Sequence, residues 1–147
     1  MIDRICVVLS VYLILRKEGK VLLSLRQNTG YKDGTYSLIS GHVEAHESAK
    51  QAMVREAEEE VGVLIQEEDL HFVHVVHRRS DRKNIDIFFE CSRWSGAVAN
   101  IEPLKCGRLA YYSLESMPNN LNSSVENVLE LLRSKQLYSE EGWNSVE

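Results

Sequence analysis

The stretch Arg55-Glu56-Ala57-Glu58-Glu59-Glu60 constrains the fold of this chain most, because it lies between a helix-start and a helix-stop signal. Ser48 with Gln51 three residues later makes a capping box, and Gly62 can take the left-handed conformation that ends a helix. On a wheel of about 100° per residue with Ala49 as origin, Met53 falls at about 40°, Ala57 at about 80° and Ala52 at about 300°. That is the face a globular domain buries. Glu56 falls at about 340°, Glu60 at about 20° and Glu59 at about 280°, so all border or interrupt the apolar arc. Only Glu58, at about 180°, turns plainly to water. Glu56 and Glu60 stand i and i+4, where like charges cost roughly 0.2–0.5 kcal/mol even when exposed. Partly buried, they cost more unless something positive joins them. Arg55 can pair with Glu59, yet surplus negative charge remains. A hard divalent cation removes the surplus, and Mg²⁺ suits carboxylates combined with waters and phosphates. A solvated acidic face is the bland alternative, and the helix alone leaves both open.

The flanking sequence supplies strands. Ile5 to about Arg16 is β-branched and apolar, Lys17-Glu18-Gly19-Lys20 is a hairpin turn, and Val21–Arg26 is the return strand. Gln27–Thr35 is a polar loop, and Tyr36–Ile39 a short extended piece. Leu70–Arg78, Asn84–Cys91 and Arg108–Leu114 read as further strands. A second helix starts at Ser123 with Glu126 as its capping partner, and Val125, Val128, Leu129 and Leu132 form its apolar stripe. Residues after Tyr138 are acidic and read as a mobile tail, with Trp143 a candidate to dock. Strands that precede, separate and follow helices predict an α/β fold, a mixed sheet with helices packed on it. No linker or repeat divides the chain, so residues 1–147 are expected to form a single domain.

Composition excludes several function classes. The chain carries 17 basic and 22 acidic residues, net −5, which argues against binding a nucleic-acid duplex through its backbone. A phosphate-bearing small substrate stays compatible, since a divalent cation can lie between two negative partners. The apolar run Ile5–Leu15 is too short for a membrane span and has no cleavage site after it, so neither a membrane segment nor a signal peptide is expected. Cys6, Cys91 and Cys106 are odd in number and far apart, which points to a reducing, cytoplasmic setting rather than to disulfides.

Gly41, five residues, Glu47, seven residues, then Arg55-Glu56-Ala57-Glu58-Glu59-Glu60-Val61-Gly62-Val63 resembles the Nudix box at every fixed position, with Ala57 a small member of its aliphatic class. The box spans residues 41–63. The resemblance implies an α/β/α sandwich and hydrolysis of a nucleoside diphosphate linked to another group, with Mg²⁺ or, as a substitute, Mn²⁺. It places the metal ligands on Glu56, Glu59, Glu60 and the main-chain carbonyl of Ser40. It makes Glu47 and Arg55 an ion pair that fixes loop against helix, and Gly41 the residue of a tight turn. A carboxylate must take the proton of the attacking water. Glu59 is the first choice, with Glu56 and Glu102 open.

The segment from Asn28 to Leu38 resembles a branch near the 8-oxo-dGTP and nucleoside-triphosphate pyrophosphatases, in which the position of Ser37 contacts the base. Cleavage of a (deoxy)nucleoside triphosphate to monophosphate and pyrophosphate is therefore expected. A nucleoside diphosphate sugar hydrolase and a non-catalytic Nudix-fold binding module are the alternatives. In that branch an acidic pair before an aromatic dipeptide reads a purine. Here Gly107 and Arg108 stand before Ala110-Tyr111-Tyr112, which weighs against oxidised guanine. Arg26 is expected to steer phosphate, and Tyr36, Tyr111 or Tyr112 to stack on a base. His71, His74 and His77 lie on a strand, so His74 points away from the other two and a zinc site is not expected. Asp86 and Glu90 read as the polar face of a half-covered strand, or as carboxylates reaching the site. Dimers are common in the family, but no stripe in this sequence demands one.

Overall fold

The computed structural model describes residues 2–144. Strand β1 (Val8–Lys17) turns into β2 (Lys20–Arg26) through Glu18 and Gly19, whose φ values of 53° and 77° suit a two-residue hairpin turn. The short β3 (Tyr36–Ser37) pairs with β2, whereas β4 (Ile39–His42) crosses to pair with β1 along Ser10–Leu13. Helix α1 (Ala49–Val61) follows, then a single 3₁₀ turn at Glu67–Asp69. Strand β5 (His71–Arg79) pairs antiparallel with β6 (Lys83–Cys91), and β6 runs parallel to β1, matching Val8 to Asn84 and Leu15 to Cys91. Strand β7 (Cys106–Ser113) returns to β2, α2 (Ser123–Leu132) follows, and β8 (Tyr138–Glu141) runs parallel to β5. The path through the mixed sheet is β3-β2-β1-β6-β5-β8.

Period-two alternation along β1 builds two cores. Val11, Leu13 and Leu15 face α1, where Ala52, Met53, Ala57 and Val61 are buried. Ile14 faces the other way, onto Val125, Val128 and Leu129 of α2. The fold is thus the expected α/β/α sandwich. Both ends of α1 form as the sequence reads: Ser48 and Gln51 make the reciprocal capping box, and Gly62 sits at φ 74° with its N–H on the Glu58 carbonyl.

The last carbonyls of α1 are satisfied from far along the chain. The Ala99 N–H donates to Val61 O at 3.0 Å and the Ile101 N–H to Glu60 O at 3.2 Å. These bonds hang the β6–β7 connection on the end of α1 and bring Glu102 beside the glutamates.

Four expectations need correction. The first strand begins at Val8, where its ladder with β6 starts, and Ile5 and Val7 before it stay exposed. The cap of α2 is Asn122, whose Oδ1 accepts from the N–H groups of Ser124 at 2.9 Å and Val125 at 3.3 Å, and Ser123 is already helical. The segment after Leu137 is an ordered edge strand, not a tail. Gly142 at φ 83° brings the chain so close to Arg79 that a Cβ there would lie 1.9 Å from its carbonyl oxygen, and Trp143 Nε1–H donates to His77 O at 2.9 Å. Residues 145–147 of the expected tail lie outside the described residues. Asp86 is no half-covered surface group: it is 2% exposed and paired with Arg78. His74, fully buried, has its ring nitrogens 2.7 Å from the Gln136 carbonyl and 2.8 Å from the Ser139 hydroxyl.

Candidate active site

Arg55 organises the box. Its Nε and Nη2 donate to the two Glu47 oxygens at 3.0 and 2.6 Å, and Nη2 also reaches His42 O at 3.1 Å. Its Nη1 donates to Glu56 at 2.8 Å and to Glu59 at 3.0 Å. One guanidinium therefore ties the loop after β4 to two successive turns of α1. The Arg55 fork, aided by the Glu44 N–H, holds the Glu47 carboxyl down to about 2, and Glu47 in turn raises Arg55 further into its charged range.

Glu60 is in the opposite situation. Burial, then the neighbouring Glu56 and Glu102 carboxylates, push it up to about 10, against the pull of the Ser40 N–H. Its Oε2 is buried with no hydrogen-bond partner among the described residues. A carboxylate walled in by two others, with an oxygen aimed at no donor, is a donor set that fits a divalent cation. Gly41 makes room for this arrangement. A Cβ there would lie 2.2 Å from the Glu56 carboxyl carbon. Gly41 lies within β4 and is not among the residues of positive φ, so the glycine serves close approach rather than the expected tight turn.

Glu56, Glu59, Glu60, Ser40, Arg55 and Arg26 line one cavity of about 450 Å³. Glu47 stands behind it, holding Arg55. Ser37, 3% exposed, lies in a second cavity of about 350 Å³ that adjoins the first at Arg26 and Ser40. Tyr36 is brought to neither. It is 7% exposed and packs edge-on against Tyr112 in the α2-side core, with ring centroids 5.2 Å apart. Tyr111 and Tyr112 line neither cavity; Tyr12 and Tyr31 line the second. Sequence reasoning missed Lys105 and Cys106, which join Glu102 in the first cavity, with the Ser24 hydroxyl 3.0 Å from the Cys106 sulfur. No local pattern marks these residues, since they are brought there by the pairing of β7 with β2, which sets Cys106 opposite Arg26 and the Lys105 carbonyl 2.9 Å from the Gln27 N–H, and by the bonds from the 99–102 segment to α1. Arg26 is oriented by the Tyr31 carbonyl at 2.8 Å and the Thr29 hydroxyl at 3.1 Å. Glu44, His46 and Glu47 also approach one another in the exposed box loop, but Glu47 is committed to Arg55.

A layered α/β/α fold with this glutamate helix defines a class of protein. The NUDIX domain model matches residues 6–132, and the chain belongs to the Nudix family. Over 60 residues it is 40% identical to the NAD-capped RNA hydrolase NudC of Photobacterium profundum, covering 41% of this chain and 20% of that protein. Over 72 residues it is 35% identical to the ADP-ribose pyrophosphatase of Methanocaldococcus jannaschii, covering 49% and 42%. Over 50 residues it is 40% identical to the CTP pyrophosphohydrolase of Escherichia coli, covering 34% and 37%. The matched segments span less than half the length of these relatives. In fold, the chain is similar to the MutT NUDIX hydrolase of Burkholderia pseudomallei, with TM-score 0.77, 22% identity, and coverage of 84% of this chain and 95% of that one. Among the described residues no helix is long and apolar enough to cross a membrane.

Proposed function

We propose that this protein is a divalent-metal-dependent hydrolase that cleaves the diphosphate linkage of a small nucleotide, a (deoxy)nucleoside triphosphate giving monophosphate and pyrophosphate. The observation that carries this reading is the buried, partnerless Glu60 Oε2 inside a cavity that Glu56 and Glu59 also line. Glu56, Glu59, Glu60 and the Ser40 carbonyl would hold the ion, Mg²⁺ or Mn²⁺. Bound there, it would neutralise diphosphate oxygens and acidify a water. Arg26 and Lys105, on the wall of the same cavity, add positive charge for the phosphates. Arg55 keeps Glu56 and Glu59 in place from behind. Glu59 serves as the base that takes the water's proton, because its side chain is 49% exposed and free of the Gly41 contact. Glu102 is the competing base, as it lines the same cavity from a different loop.

The relative named a CTP pyrophosphohydrolase supports a triphosphate substrate. The relative named an ADP-ribose pyrophosphatase supports the second reading, hydrolysis of a nucleoside diphosphate joined to another group. Retention of all the box glutamates speaks against a purely binding module. A nucleotide panel scored separately for phosphate and pyrophosphate release, with EDTA and with added Mg²⁺ or Mn²⁺, tests the proposal. Pyrophosphate released from triphosphates only when metal is present is the expected outcome. Hydrolysis of sugar or dinucleotide substrates alone would transfer the assignment to the second reading, and no metal-dependent hydrolysis of any substrate would end both.

A further inference from the structure

The second cavity is walled by groups that donate hydrogen bonds. Arg78 is 8% exposed and is held side-on by Asp86, with Nε to Oδ2 at 2.6 Å and Nη2 to Oδ1 at 3.3 Å. Both oxygens of that buried carboxylate are turned onto Arg78. The Nη1 edge of the guanidinium has no partner among the described residues, and Arg78 lines the cavity. Asn122 spends its side-chain oxygen on capping α2, which leaves its NH₂ group as the end available to the cavity. The Ser10 hydroxyl accepts from the Asn84 amide at 3.2 Å, so its own proton is free to donate. Tyr12, stacked on Phe88 at 4.7 Å with rings 10° apart, makes one flat wall, and Tyr31, 48% exposed, also lines the cavity. The remaining carboxylate, Asp81, belongs to the exposed β5–β6 turn and accepts from the Ser80 hydroxyl.

We infer that this cavity reads a nucleobase edge bearing two adjacent hydrogen-bond acceptors, with Arg78 as the specificity-determining residue; this rests on the hydrolase reading above. A cavity of about 350 Å³ with an aromatic wall suits a planar ring, and it shares Arg26 and Ser40 with the phosphate-binding side. Asp86 offsets the charge of Arg78, so the wall offers an oriented fork rather than a bare cation. A guanidinium fork pairs with two neighbouring acceptors, as in the O6/N7 edge of guanine. The O2/N3 edge of cytosine presents the same chemistry. Adenine places an amino group beside each ring nitrogen on its reading edges, and 8-oxoguanine converts N7 to an N–H donor. Each would set donor against donor in a buried site and leave both without an acceptor, the mismatch that hydrogen-bonding pockets reject most strongly.

The test is calorimetric titration of the intact protein, with Mg²⁺ present, by dCMP, dGMP, dAMP, 8-oxo-dGMP and 2-deoxyribose 5-phosphate. Monophosphates have no diphosphate bond to cleave, so the result stands even where every hydrolysis assay reads zero. Binding of dCMP or dGMP at least about tenfold tighter than dAMP, 8-oxo-dGMP and the base-free sugar phosphate is expected, and the winner identifies which edge is read. Arg78→Lys, which keeps charge and loses the fork, should collapse the preference. Asn122→Asp keeps the cap but offers an acceptor to the cavity, and should narrow the preference about tenfold without touching the buried pair. Equal binding of all bases, preference for dAMP or 8-oxo-dGMP, sugar phosphate bound as tightly as the nucleotides, or no binding would overturn the inference. A preference left intact in both variants would overturn it as well.

Discussion

The two adjoining cavities handle charge in opposite ways. In the first, carboxylates outnumber their partners: Arg55 serves Glu47, Glu56 and Glu59, and Glu60 is left with a buried oxygen bonded to nothing. In the second, the buried charges balance internally, Arg78 against Asp86. The contrast separates two physical requirements. A crowd of buried carboxyls is relieved either by protonation, the direction in which Glu60 is pushed, or by a cation that completes the site. A compensated pair costs the folded state less and leaves directional hydrogen bonds as its output. On the proposed reading the first cavity would take an ion and phosphates and the second a base edge, and Arg26 and Ser40 line both.

Removing the cation should break the contrast most severely. EDTA should abolish hydrolysis and Mg²⁺ restore it. Glu56→Gln, Glu59→Gln and Glu60→Gln should each lower turnover by about a thousandfold with the circular dichroism spectrum unchanged. Near-normal metal-dependent rates in all three would remove the first cavity from the chemistry. Gly41→Ala should come next. Its Cβ would fall on the Glu56 carboxylate, and a displacement of that kind lowers turnover by about a hundredfold, measured at saturating substrate.

Acid sharpens the comparison at a smaller scale. Glu47 titrates at about 2 in the folded protein against 4.5 when free, so its stabilising pair is fully present above about 4.5. That contribution is lost as pH falls through the interval down to about 2. Melting temperatures across this range should fall less steeply in Glu47→Gln than in the parent protein, and superimposable slopes would show that the pair carries no linkage. The smallest effect belongs to the second cavity's rim. Asn122→Ala removes the α2 cap and should cost about 1 kcal/mol, a drop in melting temperature of about 2–4 °C. A loss of metal-dependent turnover in that variant comparable with the glutamate variants would erase the distinction between the cavities.

Much of the first cavity was legible in the chain. The wheel gathers Glu56, Glu59 and Glu60 because they sit within one helix, and periodicity alone decides which way such side chains point. The capping box, the left-handed Gly62 and the hairpin at Glu18-Gly19 were readable for the same reason, as each involves residues a few positions apart. Tyr36 could not be placed. Whether an aromatic beside a glycine-rich loop faces a ligand or the core depends on Tyr112, which lies far away in sequence.

The amino-acid sequence by itself determined the glutamate helix, its ends and its membership of a family, because those rest on local spacing. Tertiary structure decided which distant residues come together: Arg78 pairs with Asp86 through the β5–β6 register, Asn122 shares the wall of one cavity with Ser10 and Tyr12, and Glu102 comes near Glu60 through a loop bonded to the last turn of α1. Local spacing fixes the direction of a side chain within its own element. What stands opposite is set by strand pairing and packing between distant segments, which no short window of sequence contains.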